Sequence, residues 1–285
     1  MSDVNAMNVD RYCVFGNPVQ HSKSPLIHAM FAQQTGQHID YQTSLVPLDS
    51  FPIAVRKFMS EGGKGANVTV PFKLEAFAIA HELSARANMA GAVNTLSFVD
   101  GKIIADNTDG IGLVRDITHN AATQISEKRV LLLGAGGAAR GALLPLLQEH
   151  PSSLTIANRT LSKAEELQEL ATSSGYTQVE AKSWDQLTAN SATGFDVIIN
   201  ATSASLHSEV PPIPAHVFKP ASLAYDMMYG DTITSFNQYA SQCGAMTRDG
   251  LGMLVEQAAE AFLIWRGVRP DTTNVLRHLR EKGSA

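Results

Sequence analysis

The segment that most constrains this chain is RVLLLGAGGAARGALLPLL, from Arg129 to Leu147. Val130 to Leu133 form an apolar, strand-like run that passes directly into Gly134-Ala135-Gly136-Gly137-Ala138-Ala139, and an apolar helical pattern follows. The glycine-rich stretch matches G-x-G-x-x-G/A in the setting that gives the pattern physical meaning. Glycine permits the tight turn and lets a pyrophosphate approach the backbone N–H groups at the next helix's N-terminus. A turn built only for close packing would use the same glycines. The strand before and the helix after favour a dinucleotide site in a doubly wound parallel sheet.

The following strand bears on which dinucleotide is bound. A site for NAD wants an acid about 20 residues on, to hold the ribose 2′-hydroxyl. Here LTIA ends in Asn158-Arg159-Thr160, with Lys163 one turn later. No carboxylate is present to repel a 2′-phosphate, and Arg159 can stack on adenine and reach that phosphate. Lys163, in a first helical turn, is badly placed against the helix dipole unless an anion sits there. NADP is the expected cofactor. Ser162 and Glu165 have the spacing of a capping box, which would leave the basic pair free.

Around this segment, short apolar runs alternate with amphipathic stretches. YCVFG, PLIHAMFAQQTG, YQTSLVP, SFPIAVRKFMSEGG, ANVTV and KLEAFAIAHEL give a βαβαβα rhythm and so a mostly parallel sheet with helices on its faces. VNTLSFVDGKIIADN breaks the rhythm, because two runs flank Asp100-Gly101 as in a hairpin. From Arg129 the alternation resumes, with about six strands to be counted before a long helix, GLGMLVEQAAEAFLIWRGVRP. That helix carries an apolar stripe at Leu254, Ala258, Ala261, Phe262 and Trp265. The expected fold is α/β: an N-terminal α/β domain at 9–112 plus 251–285, a Rossmann-like doubly wound domain at 113–250, and a C-terminal helix packing back on the first domain.

Composition narrows the partners. With 44% hydrophobic residues, a net charge of −5 and no long basic run, neither nucleic acid nor an anionic membrane surface is expected, and a small molecule is. Only Cys13 and Cys243 are present, outside any CxxC pattern, which gives no disulfide framework and fits a reducing cytoplasm. MSDVNAMNVD has no apolar targeting core, and no apolar run approaches the roughly 18 residues of a membrane span. The nine histidines fall in no ligand spacing, so no metal site is expected.

GANVTVPFK, Gly65 to Lys73, carries polar groups that a strand does not need. Strand alternation puts Asn67 and Thr69 on one face. Pro71 suits a first helical position, which would place Lys73 in an opening turn, where a cation is unfavourable by about 0.3–1 kcal/mol. The side chain could simply reach water. Three further segments point elsewhere. In HSKSPLIHAM, Ser24 fits an N-cap and Ser22 does not, and together they could bind a carboxylate at a helix N-terminus. In DNTDGIGLVRDI, Asp109 also sits where a cap belongs and is a candidate partner for Lys73. Gln257 is the one polar interruption read in the apolar stripe, and a buried amide needs partners such as a hydroxylated ligand.

FGNPVQHSKSP, GGKGANVTVPFK, AGAVNT, DNTDG, GAGGAARG, NRT, IINAT, YDMMY and DGLGMLVEQAA occur in the order found in the shikimate dehydrogenases, and from about Tyr12 to Pro270 the chain closely resembles that family. The resemblance implies NADPH-dependent reduction of 3-dehydroshikimate to shikimate, by a monomer or homodimer. It implies that Lys73 and Asp109 form the catalytic pair and that Ser22 and Ser24 take the substrate carboxylate. Asn67, Thr69, Asn94 and Gln257 would hold the ring hydroxyls, with Tyr229 closing the pocket. For the cofactor it implies Gly134 to Ala139, Asn158-Arg159-Thr160 with Lys163, and Thr202, Met227 and Gly250 on the nicotinamide side. Two positions depart from the family: Ala204-Ser205 stands where a Ser-Gly pair is usual, and Ser235 where proline is. A quinate/shikimate dehydrogenase with relaxed cofactor use is the nearest alternative. A catalytically idle NADP-binding regulatory module is the alternative from another class, and one expected to have lost the lysine and aspartate.

Overall fold

The computed structural model describes residues 9–189 and 194–283, so the segment read for targeting lies outside the described residues up to residue 8. The chain divides into two compact units, Met1–Thr108 with Ala258–Val275, and Asp109–Gln257 with Leu276–Ala285. Among the described residues, no helix is long and apolar enough to cross a membrane.

The first unit carries β1 (Asp10–Gly16), β2 (Ile39–Leu45), β3 (Gly63–Val68), β4 (Glu82–Leu83), β5 (Thr95–Val99) and β6 (Lys102–Asp106), paired in the order β2-β1-β3-β5-β6-β4. β1 is parallel to β2 and β3, and β4 to β6, whereas β5 is antiparallel to both its neighbours. The β5–β6 hairpin turns on Asp100 and Gly101 at φ of 49° and 75°, the left-handed pair that a tight hairpin favours. Phe15, Phe51, Val55, Phe72 and Leu96 form the core on one face, with Phe51 and Phe72 stacked 5.0 Å apart. Each such side chain contributes about 1.5–3 kcal/mol by leaving water.

The segment Ala258–Val275 completes this unit. Trp265 stacks on Tyr12 with ring centres 4.6 Å apart and donates Nε1–H to the Leu96 carbonyl at 3.0 Å. A Cβ at residue 65 would lie 2.7 Å from that nitrogen, so only glycine leaves room for the indole. The predicted stripe is buried at Ala258, Ala261 and Phe262. Gln257 is not the only polar group on the helix Leu251–Arg266, because Glu256 and Glu260 are also buried, at 2% and 9% exposure. The helix is enclosed on more than its apolar stripe, and its acids are paired: Glu260 with Arg86 and Arg269, Glu256 with Arg115 and Asn120.

In the second unit β7 (Arg129–Leu133), β8 (Ser153–Asn158), β9 (Val179–Ser183), β10 (Phe195–Asn200), β11 (Phe218–Asp226) and β12 (Met246–Arg248) form a wholly parallel sheet in the order β12-β11-β10-β7-β8-β9. Counted from β7 this is the doubly wound order that the glycine-rich segment predicts. Val130 to Leu133 are fully buried, as a strand covered on both faces must be. Gly110 lets the helix Asp109–Arg115 lie close against Gly137–Gln148, since a Cβ there would meet the Gly141 carbonyl at 2.2 Å. The π-helical turn Asp116–Asn120 follows, and Asp116, fully buried, accepts from Arg248 at 2.6 and 2.8 Å, Tyr225 at 2.7 Å and Asn120 at 2.9 Å.

Candidate active site

In the first unit the polar residues gather at the C-terminal ends of β1 and β3. The chain leaves β1 for β2 on one side while β3 lies on the other, the point at which open α/β sheets form a crevice. The helix Ser24–Thr35 begins at Ser24, so Lys23 occupies the capping position and the expected Ser24 cap is not formed. Ser22 takes that part instead, its Oγ accepting the Ser24 N–H at 3.3 Å. Thr69 lies just past the end of β3, with its N–H bonded to Phe15 O at 2.9 Å. Pro71 is not the first residue of a helix either. Lacking an N–H, it sits in a turn closed by Phe72 N to Thr69 O at 3.0 Å, and the helix Lys73–Ile79 starts two residues later. Lys73 is thus its first residue, and its carbonyl accepts the Val93 N–H at 3.0 Å.

Asn67 and Asn94 are buried side by side at 6% and 3% exposure. Asn67 Nδ2 donates to Asn94 O and to Thr95 Oγ1, both at 3.2 Å, and Tyr41 donates to Asn67 Oδ1 at 2.7 Å. Asn94 Oδ1 accepts from Thr108 N at 2.8 Å and Thr95 Oγ1 at 2.8 Å. Tyr41, Thr95 and Thr108 are members of this cluster that sequence reasoning missed. Thr95 and Thr108 lie within the motifs AGAVNT and DNTDG, but a tyrosine in a strand carries no signal of its own.

In the second unit a cleft of about 710 Å³ lies where the chain reverses direction between β7 and β10. It brings together Gly134 to Ala138, Asn158, Arg159, Thr160, Lys163 and Thr202. Gly134 has φ of 102°, available only to glycine at low cost, and a Cβ there would press on Thr202 at 3.1 Å. Among the described residues, nothing beyond the adjoining backbone lies within 4 Å of where a Cβ at Gly136 or Gly137 would be, and the helix Gly137–Gln148 starts there. Asn158 shapes the basic turn by donating to Thr160 O at 2.8 Å. Arg159 and Lys163 are exposed and make no ion pair among the described residues. The Ser162–Glu165 capping box does not form: Thr160 holds the cap position of the helix Leu161–Ser173, with no side-chain cap, so Ser162 is already inside the first turn. These features fit a dinucleotide with an extra phosphate: open backbone donors for the pyrophosphate and two cations for the ribose end. Trp184 and the loop Val210–Pro212 share the cleft without having given a sequence signal.

Other cofactor candidates lie elsewhere in the unit. Ala139 is fully buried in its helix, and Gly250 adjoins Met227, whose carbonyl would stand 2.2 Å from a Cβ at residue 250. Thr202 is held by Asn200 Oδ1, which accepts its N–H at 3.1 Å and its hydroxyl at 2.7 Å. Asn200 in turn donates to Asp226, fully buried, whose carboxyl burial raises above its usual range while Ser205 and Thr234 pull it back. Tyr229 is 40% exposed in the loop after β11. Asp109 is the first residue of the helix Asp109–Arg115, not its cap. Gln257 is half-buried against Gly112, and its Nε2 donates to Leu254 O at 2.9 Å.

Residues 14–96 match the family description of the shikimate dehydrogenase substrate binding domain, 116–208 that of shikimate / quinate 5-dehydrogenase, and 250–280 that of the shikimate 5′-dehydrogenase C-terminal domain. A shikimate dehydrogenase (NADP(+)) of Cupriavidus necator is 56% identical, covering 98% of this chain and 96% of its own. Among solved structures, an Ael1 enzyme from Pseudomonas putida is 50% identical with a TM-score of 0.89, over 95% of this chain and 98% of that one. A shikimate dehydrogenase in complex with NADP+ is 31% identical with a TM-score of 0.86, over 97% and 96%.

Proposed function

The chain belongs to the shikimate dehydrogenase family, and on that premise we propose how its residues divide the work between substrate, proton and cofactor. The reaction is the reversible NADPH-dependent reduction of 3-dehydroshikimate to shikimate, a CH–OH oxidoreduction of the shikimate pathway. Bound NADPH supplies the hydride that reaches the carbonyl carbon.

Lys73 supplies the proton. As the carbonyl π pair moves to oxygen, the Lys73 ammonium gives that oxygen its proton; in the oxidising direction the neutral amine takes it back. Asp109 keeps Lys73 charged and aimed. Ser22 and Ser24, at the start of a helix, bind the substrate carboxylate. Asn67, Thr69, Asn94 and Gln257 hold the ring hydroxyls, and Tyr229 closes over the ring. The unit 109–257 carries NADP, with the pyrophosphate at Gly134–Ala138, the 2′-phosphate at Arg159 and Lys163, and the nicotinamide side at Thr202, Met227 and Gly250.

The observation that carries this reading is the buried amide cluster at the end of β3. Two carboxamides at 6% and 3% exposure, with Lys73 O bonded to Val93 N beside Asn94, form a built polar floor of the kind that holds a polyol. Both cysteines are free, which fits work in a reducing cytoplasm. The test is an assay of purified protein with NADP or NAD, offering shikimate or quinate, while absorbance of the reduced cofactor is followed. Turnover with shikimate and NADP far above the other three pairs is the expected result. Equal use of NAD would remove the role given to Arg159 and Lys163.

A further inference from the structure

The amide cluster has a definite direction of hydrogen bonding. Backbone groups anchor it at two places, because the Thr108 N–H can only donate to Asn94 Oδ1 and the Asn94 carbonyl can only accept from Asn67. Thr95 gives its hydroxyl proton to Asn94 Oδ1 at 2.8 Å, so toward Asn67 it acts as acceptor, for Nδ2 at 3.2 Å. Both N–H bonds of the Asn67 amide are then used, one on Asn94 O and one on Thr95 Oγ1. The remaining group, Oδ1, faces the Tyr41 hydroxyl at 2.7 Å. Turning the amide over would set Oδ1 against the Asn94 carbonyl, two acceptors in contact with no proton between them.

Tyr41 is itself held. It is 8% exposed, and its ring lies flat on His28, with centroids 4.2 Å apart and planes within 8°. His28 is fully buried among Phe31, Phe262 and Trp265, and among the described residues neither ring nitrogen has a partner at hydrogen-bond geometry. Burial pushes that imidazole down to about 3, so it stays neutral. Uncharged and enclosed, it acts as a flat support for the phenol.

We propose that Tyr41 is a positioning residue that steadies the Asn67 carboxamide in the orientation set by Asn94 O and Thr95, with Oδ1 as acceptor, so that this point of the site accepts only a ring hydroxyl that donates. A ketone oxygen cannot donate, and therefore the hydroxyl read by Asn67 is one that persists through the reaction and not the one oxidised. This assignment rests on the reading of Asn67 as a substrate residue.

The test compares wild type, Tyr41→Phe, Asn67→Ala and the double variant, with shikimate and with analogues in which one persistent hydroxyl is replaced by fluorine, which accepts but does not donate. Tyr41→Phe keeps the ring stack and removes the donor. Its shikimate KM should rise about fivefold, the size of one net hydrogen bond, with kcat and the NADP KM unchanged. The double variant should match Asn67→Ala alone, because Tyr41 acts through Asn67. One fluoro analogue should be a poor substrate for wild type and lose that penalty in Asn67→Ala. Thr95→Val, which removes the acceptor for Nδ2, should reproduce the Tyr41→Phe pattern and serves if that protein does not fold. If Asn67→Ala leaves the shikimate KM unchanged, the substrate reading of Asn67 fails. If Asn67→Ala raises it while Tyr41→Phe does not, or if the two effects add, the role of Tyr41 is overturned and that reading stands.

Discussion

Ser205 donates its hydroxyl to Asp226 Oδ2 at 2.6 Å, so this side chain helps to satisfy a fully buried carboxylate. The same carboxylate accepts from Asn200, which holds Thr202 at the edge of the cofactor cleft. Ser205→Ala should therefore cost about 1–3 kcal/mol, the penalty of a buried acceptor losing its donor. Urea unfolding measures that loss, and a several-fold rise in the NADP KM would show that it reaches Thr202.

A pH dependence follows from the same aspartate. Burial raises the folded-state value of Asp226 above the unfolded one, so between the two the folded protein binds more protons. Stability from this group therefore falls as pH rises from about 3.9, the unfolded value, through the raised folded value. Asp226→Asn removes the titration. The stability of wild type minus that of Asp226→Asn should decline as pH is raised from 4 to 7, and a rising difference would reverse the assigned sign.

Lys73→Ala should lower kcat on the order of a hundredfold or more, the usual loss on removing a general acid, with the NADP KM near wild type. Steady-state kinetics in both directions decide it. Near-normal turnover would refute the proton-donor role.

Arg159→Ala and Lys163→Ala should each raise the NADP KM about tenfold or more, as expected for a charge-assisted contact to phosphate, and leave the NAD KM unchanged. Rising salt should narrow the gap between wild type and variants. Equal losses for NADP and NAD would place the two cations away from the 2′-phosphate.

Gly252→Ala tests the buried Asp116 cluster, because the new Cβ would stand 2.0 Å from Asp116 Oδ1. Displacing that carboxylate from Arg248 should cost about 3–5 kcal/mol, the loss seen when a buried pair is broken. A melting temperature unchanged by the substitution would mean that the cluster can shift aside without cost.

The doubly wound sheet was legible because Val130–Leu133 and Gly134–Ala139 must satisfy strand burial, a left-handed turn and a helix start within ten residues. The β5–β6 hairpin was legible for a similar reason, since Asp100-Gly101 supplies the backbone angles that the turn requires. Helix starts were read less well. Ser24, Asp109 and Ser162 each carry a capping residue type, yet each lies inside its helix, because propensity cannot say which of several adjacent polar residues the backbone selects. The burial of Glu256 and Glu260 carried no local signal, and the arginines brought from distant positions explain it. The Tyr41–Asn67 bond spans 26 residues and two strands that are not neighbours, a relation that no local pattern encodes.

The indole of Trp265 belongs to the first unit, yet it is synthesised long after that unit's strands. Tyr12 and the Leu96 carbonyl must wait for it through the synthesis of some 170 further residues from Leu96 onward. The amino-terminal sheet therefore leaves the exit tunnel with the groove over Gly65 uncovered, while the unit made after it has received nearly all of its own strands. A nascent chain stalled before residue 258 should therefore expose the first unit to proteases and chaperones.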